Sequence, residues 1–542
     1  MKKTLFKLFS IIVSISFYIA AFFLIVYVTP YKNKDGVLFL LSLRSYLSIE
    51  SIIYIVIFLG CLMEISLPNR DDDKKIHKTI YFTWIFALFT AIPFAVIGFL
   101  FGNNEIEPIL VFLHDNQIED MVSIGADGFS GPLILWTVLT LILVIASIYL
   151  MMNKKYFDKI LLSIGVLMLL LSPILKYSIN SAFPNQDQLA FNIDERVHPP
   201  QILSKPDIKK NLVIIYLESV ERSYAEIPEI KPFYEPISTL SDQAIDFTNI
   251  IQTTGTNFTI AGIIATQCGI PLLSNGLKTI FFKNDIEASM SQFLPKVHCL
   301  GDQLQQDGYI LSYMNGASLD KFSKRSFLNG HGYTRLLDKA NVADAKKSGR
   351  TNVWGLNDAL LFDLAIKEFD TLASQQKPFV QSMLTISTHG PDAFLDRNCV
   401  PTIGAISQIP RAIECTGNLV GEFVNHIKNS PSGENTIVIV LSDHLSFTNT
   451  VEEKLQKIGK DRRNLFVILN QTNAKTINRH MAPFDIYPTL LETLGYKLKD
   501  GRANLGFSAS SSLQNLTEEL GVPTLNRIFT SNPKLAAYLW RN

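Results

Sequence analysis

Three long apolar segments near the N-terminus constrain this chain more than any other feature of its sequence. No charged residue interrupts Leu8 to Tyr31, Thr79 to Asn104 or Gly128 to Asn153. Each segment is long enough for a transmembrane helix, which needs roughly 20 mainly apolar residues. Ser51 to Met63 and Ile160 to Leu175 are shorter, and each needs interfacial charges to complete a crossing. We therefore predict five membrane spans ahead of the rest of the chain.

The basic residues around these segments indicate how the predicted spans are oriented. Lysines and arginines are concentrated before the first span, in residues 70–78 and in residues 154–159, whereas residues 102–130 contain none. The positive-inside rule places the basic loops and the N-terminus in the cytoplasm. Five crossings then deliver everything after the last span to the outer face. A signal peptide is the alternative for the first segment, which has no small-residue cleavage site before Tyr31.

The overall charge excludes one class of partner. Lys and Arg together number 49, as do Asp and Glu, so the formal net charge is zero. A neutral chain lacks the basic field that attracts a nucleic-acid backbone, and we predict no nucleic-acid partner.

Four cysteines follow the predicted spans: Cys268, Cys299, Cys399 and Cys415. An even number suits disulfides in an oxidising compartment, and four cysteines allow three pairings. We favour Cys268 with Cys299 and Cys399 with Cys415, because the second bond would close a short loop, a constraint that stabilises by about 3 kcal/mol. Four buried free thiols are the alternative.

The sequence predicts a transmembrane region over residues 1–176, a polar linker over 177–206, a catalytic domain over 207–507 and a C-terminal tail over 508–542. Short β-branched runs in the third part alternate with helical stretches such as those at 357–372 and 418–429. The predicted strands are 211–217, 309–314, 379–386, 436–441 and 464–469. This alternation is typical of an α/β domain with a mainly parallel sheet and helices on both faces. The composition of the tail permits a helix that ends near Trp540.

Potential metal ligands follow two of the predicted strands directly. Glu218 comes after NLVIIYL, and Asp443 and His444 come after TIVIVLS. Ligands of parallel sheets bind beyond the carboxyl ends of the strands, so these side chains should meet at one edge. A carboxylate that ends a strand is more often solvated or capping when it stands alone. Together, two carboxylates and an imidazole predict one divalent metal ion, Mn with Mg or Zn as alternatives, rather than a thiolate-bound metal.

Thr259 is the predicted nucleophile, and it also counts among the predicted metal ligands. It stands at the start of an apolar helix after Gly255, where backbone N–H groups and the helix dipole favour a phosphate. A Thr hydroxyl needs a base or a metal to become nucleophilic. An ordinary N-cap is the structural alternative, and Thr254 and Thr256 are rival nucleophiles on chemistry alone.

Other polar residues follow strand ends and are candidates for binding the substrate. His389, in ISTHGP, could protonate a leaving oxygen or bind a phosphate, and otherwise it bonds a backbone carbonyl. Asn315, Lys324 and Arg325 could neutralise substrate charge, although a solvated basic turn is the commoner meaning of such a run. Trp354 packs either on a ligand or on the core. Weaker candidates are Arg222, His331 and Arg462.

One sequence pattern is misleading. Ser66 to Arg70 spells S-x-P-x-R, the pattern at which sulfatases form their modified nucleophile, but it lies at the cytoplasmic end of a predicted span. Cys399 is followed by VPTI and lacks the arginine. A sulfate-ester hydrolase of the formylglycine type is therefore disfavoured.

Seven separated motifs within about residues 205–495 closely resemble a known family. They are, in order, NLVIIYLESVERSYAE, TTGTNFTIAGIIATQCGIPL, CLGDQLQQDGY, GASLDKFSKRSFLNGHGY, TISTHGPD, LSDHLSFTN and DRRNLFVIL. The chain resembles phosphoglycerol transferases of the lipoteichoic-acid-synthase-like group, within the alkaline phosphatase and sulfatase superfamily. The predicted membrane part is similar to that group only in placing several spans before the catalytic domain.

The resemblance implies a multi-pass enzyme of the bacterial inner membrane with a periplasmic, alkaline-phosphatase/sulfatase-like domain. It implies transfer of phosphoglycerol from phosphatidylglycerol to periplasmic glucans through a phosphoglycerol-threonine intermediate, with release of diacylglycerol. The family's metal ligands fall on Glu218, Asp443 and His444, its nucleophile on Thr259 and its substrate-binding histidine on His389. Where lipoteichoic acid synthases use a His, a Trp and an Arg, the matching stretch here offers Asn315, Phe322 and either Lys324 or Arg325.

Three alternatives remain open from the sequence. A phosphoethanolamine transferase acting on lipid A or another envelope glycan would share the spans, the threonine and the metal. A phosphodiesterase with water as acceptor would release glycerol phosphate. A catalytically inactive, membrane-anchored binding protein would keep the sheet and tolerate loss of Glu218, Asp443 and His444.

Overall fold

The computed structural model describes residues 173–541, except 243, 275–292, 343–348, 353, 391, 397–398, 401–406, 448 and 470–473. The five predicted spans lie outside this part of the chain, apart from the last three residues of the fifth. Within the described residues, no helix combines the length and apolar character needed to cross a bilayer.

Eight strands form the central sheet of the domain, and two small pairs of strands lie outside it. The strands are β1 (Ile202–Ser204), β2 (Asn211–Leu217), β3 (Ile245–Phe247), β4 (Ile310–Asn315), β5 (Arg335–Leu337), β6 (Phe379–Leu384), β7 (Thr436–Ser442), β8 (Phe466–Leu469), β9 (Lys475–Ile477), β10 (Lys497–Leu498), β11 (Arg502–Ala503) and β12 (Gly506–Phe507). The order across the sheet is β5-β4-β6-β2-β7-β8-β3-β9. Only β8 runs against the others, so the predicted mainly parallel sheet is confirmed.

The sheet is buried on both faces. Alternate residues of β2 enter different cores: Leu212, Ile214 and Tyr216 pack in one, and Val213, Ile215 and Leu217 in the other. This division follows from the period of two along a strand. Helix Thr259–Cys268 belongs to the first core, and the long helices Asp358–Ser374 and Ile409–Asn429 belong to the second. Helices therefore cover both faces, as predicted.

The α-helices connect the strands and extend past them at both ends. They are Pro173–Ala182, Gln186–Ala190, Ile193–Arg196, Lys231–Asp242, Thr259–Cys268, Leu300–Gln306, Lys324–Gly330, Asp358–Ser374, Ile409–Asn429, Glu452–Ile458, Ile486–Thr493, Leu516–Leu520, Val522–Phe529 and Pro533–Leu539. The last three lie within the predicted tail. Their buried side chains, among them Leu525, Phe529 and Leu535, join the same core as the Thr259–Cys268 helix.

Both favoured disulfides are present. Cys268 at the end of the Thr259–Cys268 helix is bonded to Cys299, which precedes helix Leu300–Gln306. Cys399 is bonded to Cys415 in helix Ile409–Asn429 and closes a loop with a sequence separation of 16. The alternative of four free thiols is therefore wrong.

Candidate active site and metal centre

Glu218, Asp443 and His444 lie together at the carboxyl end of the central sheet. Strands β2 and β7 are parallel neighbours that end in register at Leu217 and Ser442, so the residues that follow them emerge side by side. The Nε2 atom of His444 lies 3.4 Å from Glu218 Oε1 and 3.2 Å from Asp443 Oδ2. All three side chains are almost completely buried.

Hydrogen bonds from neighbouring backbone and side-chain groups hold the two carboxylates in place. The Ser219 amide donates to Asp443 Oδ1 at 2.9 Å, and the Ser219 hydroxyl donates to Glu218 Oε1 at 2.9 Å. The backbone of Ser219 is left-handed, with φ of 57°, and this turn lets one residue serve both carboxylates. The His444 amide also donates to Asp443 Oδ1, at 2.8 Å.

His444 presents its Nε2 atom to the carboxylates. Its Nδ1 lies 2.7 Å from the carbonyl oxygen of Leu445. A carbonyl oxygen only accepts, so in the neutral ring Nδ1 carries the hydrogen and Nε2 keeps its lone pair. The imidazole is thus oriented as a ligand, with the backbone carbonyl fixing its tautomer.

The electrostatics of this group fit a bound cation. Burial, and then the nearby charge of Glu218, raises the pKa of Asp443. Burial raises the pKa of Glu218 as well, but a hydrogen bond from the protonated His444 ring lowers it, and as a metal ligand His444 would give up that Nε2 proton. Among the described residues, Asp443 Oδ2 is buried without a hydrogen-bond partner, although His444 Nε2 is near. Two buried carboxylates and an imidazole lone pair with an unpaired oxygen are a donor set that suits a divalent metal.

Thr259 completes this group. It is the first residue of helix Thr259–Cys268, and its Oγ1 lies 3.5 Å from Glu218 Oε2 and 3.4 Å from His444 Nε2. The adjoining helix N-terminus favours a negatively charged group beside the hydroxyl. The structure therefore brings the predicted nucleophile and the predicted ligands together.

The rival threonines are engaged elsewhere. The Thr256 hydroxyl donates to the Thr253 carbonyl at 2.9 Å and accepts from the Thr253 amide, within a tight turn. The Thr254 hydroxyl lies 3.4 Å from the hydroxyl of Thr530. Neither contact involves Glu218, Asp443 or His444.

His389 follows β6 on the other side of β2, and its ring packs on Trp354. The ring centroids are 4.3 Å apart, and His389 Nδ1 lies 2.7 Å from the carbonyl oxygen of Gly390. Burial raises the pKa of Glu218, whereas the hydrogen bond from His444 and then the charge of His389 lower it. His389 Nε2 is thus the ring atom that remains for a substrate or a proton.

The other predicted substrate-binding residues have different surroundings. Asn315 ends β4, where its amide donates to the Ala317 carbonyl and its buried Oδ1 has no hydrogen-bond partner in the described part of the chain. Within the same residues, the buried indole N–H of Trp354 also has none. Lys324 is buried near the ring of Phe322, at 5.9 Å from its centroid. Arg325 is instead held by ion pairs with Asp320 and Asp338.

Several residues that support the site were not singled out from the sequence. Thr385 accepts a hydrogen bond from the Glu218 amide at 3.0 Å, and Thr388 donates to the Glu218 carbonyl at 2.5 Å. The side chain of Gln252 accepts from the Leu445 amide at 2.7 Å, next to His444. Polar residues that follow a buried strand, as in TISTHG, are the only sequence signal that points to the threonines.

The three weaker candidates have structural partners. Arg222 pairs with Asp246, and Arg462 pairs with the fully buried Glu221. Arg462 also donates to the Ser446 carbonyl at 2.8 Å, close to the loop of His444.

His331 lies near Asp302 and Cys299, a second group of residue types that bind metals. The Cys299 sulfur is already in a disulfide, so it is not a thiolate ligand.

Comparison with known proteins identifies the family to which residues 210–496 belong. A family model described as Sulfatase matches residues 210–496. The chain belongs to the sulfatase family. The match covers the sheet and all four residues of the candidate metal centre and nucleophile.

Curated relatives agree with the resemblance drawn from the motifs. Proteins named "Phosphoglycerol transferase I" from Citrobacter koseri and Salmonella typhimurium are each 36% identical to this chain over 321 residues. The matched part makes up 58% of this chain and 40% of each relative. The chain therefore spans about two fifths of the length of these relatives. Their names and the 36% identity confirm the resemblance to phosphoglycerol transferases.

Solved structures give matches of lower identity. A protein of the alkaline phosphatase superfamily from Vibrio parahaemolyticus has a TM-score of 0.48 and 20% identity, covering 63% of this chain and 78% of its own. The lipoteichoic acid synthase LtaP from Listeria monocytogenes has a TM-score of 0.44 and 16% identity, covering 63% of this chain and 95% of its own.

Proposed function

We propose that this chain is a transferase that moves phosphoglycerol from phosphatidylglycerol to a periplasmic glucan and releases diacylglycerol. The observation that carries the proposal is the position of the Thr259 hydroxyl, within 3.5 Å of Glu218 and His444 at the sheet edge. The relatives named "Phosphoglycerol transferase I" support this choice of transferred group.

Glu218, Thr259, Asp443 and His444 would hold one divalent metal ion, for which we propose Mn, with Mg or Zn as alternatives. Such an ion lowers the pKa of a ligated hydroxyl and offsets charge on a phosphoryl oxygen. The chain's own residues supply the positioning: the His444 tautomer, the Ser219 hydrogen bonds and the helix that begins at Thr259 are fixed by the fold.

In the first step, Thr259 Oγ1 forms a bond to the phosphorus of phosphatidylglycerol. The hydroxyl proton passes to Glu218 Oε2, which lies 3.5 Å from Thr259 Oγ1. The bond from phosphorus to the diacylglycerol oxygen breaks, and His389 gives that oxygen a proton. Phosphoglycerol is left on Thr259.

In the second step, a glucan hydroxyl attacks the same phosphorus and gives its proton to His389. The bond from phosphorus to Thr259 Oγ1 breaks, and the proton taken up by Glu218 in the first step returns to the threonine oxygen. Among the described residues, the buried side-chain oxygen Oδ1 of Asn315 and the buried indole N–H of Trp354 have no hydrogen-bond partner. We assign them, with Lys324 and His389, to holding the headgroup, whereas Arg325 acts through its ion pairs with Asp320 and Asp338.

We place the enzyme in the bacterial inner membrane, with the catalytic domain in the periplasm. The predicted spans support this, and so does the start of the described chain, where Ile179 and Phe183 are 48% and 76% exposed. Both follow the fifth predicted span, so apolar side chains at this point suit the lipid surface. A domain held there can reach a scissile phosphate at headgroup level.

Product analysis with two lipid donors tests the proposal. Full-length protein in detergent, with Mn, is given labelled phosphatidylglycerol or phosphatidylethanolamine, each with and without a β-glucan. We expect diacylglycerol and phosphoglycerol-labelled glucan from the first donor only, and neither product from Thr259→Ala. Labelling from phosphatidylethanolamine alone would replace this proposal with phosphoethanolamine transfer, and free glycerol phosphate without labelled glucan would indicate hydrolysis.

A further inference from the structure

The C-terminal segment reaches back to the loop that precedes Thr259. The backbone amide of Thr254 donates a hydrogen bond of 2.9 Å to Oδ1 of Asn526, which is 272 residues later in the chain. The hydroxyls of Thr254 and Thr530 lie 3.4 Å apart. Residues 254–258 thus depend on a side chain from helix Val522–Phe529 for part of their hydrogen bonding.

The same segment also holds the chain that leaves the Thr259–Cys268 helix. The indole N–H of Trp540 donates to the Leu273 carbonyl at 2.7 Å. The amide of the adjacent Leu272 donates to the Gly255 carbonyl at 2.8 Å. The segments before and after the helix are therefore tied to each other and to the C-terminal residues.

A third attachment joins this segment to the start of the described chain. Asn185 donates through Nδ2 to the Arg527 carbonyl at 2.9 Å, and Gln188 donates through Nε2 to the Thr530 carbonyl at 2.8 Å. The C-terminal segment thus lies between the residues that follow the last predicted span and the loop that precedes the proposed nucleophile.

We infer that Asn526 is a positioning residue that sets the place of Thr259 Oγ1 by fixing the Thr254 amide. This inference rests on the proposed function. The loop is a tight turn in which Gly255 has φ of 78°, and a β-carbon there would lie 2.8 Å from the side chain of Pro271. A shift at Thr254 is therefore passed along the few residues to Thr259. Displacement of a reacting group by about 1 Å costs on the order of 100-fold in rate.

The acceptor atom of Asn526 is what the loop needs. A backbone N–H requires one acceptor, and a carboxylate oxygen of similar reach supplies it as well as an amide oxygen does. Asn526→Asp keeps that acceptor, whereas Asn526→Leu keeps the approximate size and removes it. Arg527→Ala is the matched control: it lies one residue away, its side chain pairs with Asp187 at 2.6 Å, and its carbonyl contact with Asn185 is retained.

The test compares these three variants with wild type as full-length protein in detergent. Hydrogen exchange of the Thr254 amide, kcat and KM for phosphoglycerol transfer, and the melting temperature are measured for each. For Asn526→Leu we expect about tenfold faster exchange and about tenfold lower kcat, with KM and melting temperature close to wild type. Asn526→Asp and Arg527→Ala should match wild type in exchange and kcat.

Unchanged exchange of the Thr254 amide in Asn526→Leu would overturn the inference, and so would faster exchange with an unchanged kcat. It would also be overturned if Arg527→Ala lost as much kcat, or if kcat fell only in step with the melting temperature. If wild-type protein transfers no phosphoglycerol, the proposed function fails. In that case the exchange measurement still tests the contact: faster exchange of the Thr254 amide in Asn526→Leu shows that Asn526 holds the loop, and unchanged exchange shows that it does not.

Discussion

Gly262 of the Thr259–Cys268 helix lies directly against the backbone carbonyl of Asp443. A β-carbon on Gly262 would lie 1.7 Å from that oxygen. The helix that carries the proposed nucleophile therefore approaches the strand end that carries two proposed metal ligands as closely as a glycine allows.

Gly262→Ala should separate the nucleophile from the proposed metal ligands. The oxygen belongs to the backbone and cannot rotate away as a side chain could, so either the helix or the whole Asp443 loop must shift. We therefore expect the rate of transfer to fall at least 100-fold. Melting temperature and transfer rate are measured together. Gly421→Ala, in helix Ile409–Asn429, is the control: outside the backbone of that helix, no described residue lies within 4 Å of a β-carbon placed there, and alanine favours the helix by about 1 kcal/mol. Equal activity of the two variants would contradict the close approach.

Removal of divalent metal should abolish transfer and lower the melting temperature, because two buried carboxylates lose their neutralising charge. Chelated protein is compared with protein reconstituted with Mn, and binding is measured by calorimetry. Asp443→Asn should remove both the binding and the thermal response.

Asp302→Asn provides the control for metal binding, since it alters the second group of metal-binding residue types, in which Cys299 is oxidised. It should bind Mn as wild type does. Binding that is lost in Asp302→Asn and kept in Asp443→Asn would place the metal elsewhere.

The disulfides should contribute unequally to stability. Replacing Cys399 and Cys415 by serine opens a loop of separation 16, for which chain entropy gives about 3 kcal/mol. Replacing Cys268 and Cys299 opens a separation of 31, for which the same treatment gives about 4 kcal/mol. The melting temperature should fall further when Cys268 and Cys299 are replaced than when Cys399 and Cys415 are. Cys61, the fifth cysteine, lies in the predicted span Ser51 to Met63, and Cys61→Ser, which leaves both bonds in place, should match wild type. The reverse order would contradict the loop-length account.

Asp485 should make the domain less stable as the pH rises. Burial raises the pKa of Asp485 to about 7, although the amides of Phe507 and Ala482 donate to its carboxylate. The folded state therefore keeps a proton that the unfolded state loses near pH 4, and the free energy of unfolding decreases between about pH 4 and pH 7.

Asp485→Asn should flatten this pH dependence even if it lowers stability throughout, because the amide cannot accept both backbone hydrogen bonds equally well. Melting temperatures between pH 4 and pH 8 provide the measurement. Asp461→Asn, with a side chain 68% exposed, should keep the wild-type slope. A slope unchanged in Asp485→Asn would show that other groups cause it.

The sequence predicted strands β2, β4, β6, β7 and β8 of the central sheet, and the meeting of Glu218, Asp443 and His444 at one sheet edge, because both depend on local pattern. The apolar runs before Glu218 and Asp443 give β2 and β7, and parallel strands bring their ends to one edge. The reversed direction of β8 has no such local signal, since its residues are apolar whichever way the strand runs. The pairing of Arg325 with Asp338 likewise has no local signal, since it depends on how the chain turns between helix Lys324–Gly330 and the end of β5.

The supporting contacts were beyond prediction for the same reason. Thr385 and Thr388 hold Glu218 from a strand end more than 160 residues away, as the separations of 167 and 170 show. Asn526 reaches the loop of Thr254 only because helix Val522–Phe529 packs beside it. A Thr or Asn in sequence predicts a cap or a turn, and only the fold selects its partner.

Capture of a covalent intermediate tests the central claim most directly. Full-length protein with Mn and phosphatidylglycerol, without acceptor, is quenched in acid, and its peptides are analysed by mass spectrometry. We expect a mass increase of one phosphoglycerol on the peptide that contains Thr259, persistence of that adduct in Thr259→Ser and its loss in Thr259→Ala. An adduct on Thr254 or Thr256, or one that survives in Thr259→Ala, would contradict the assignment of the nucleophile.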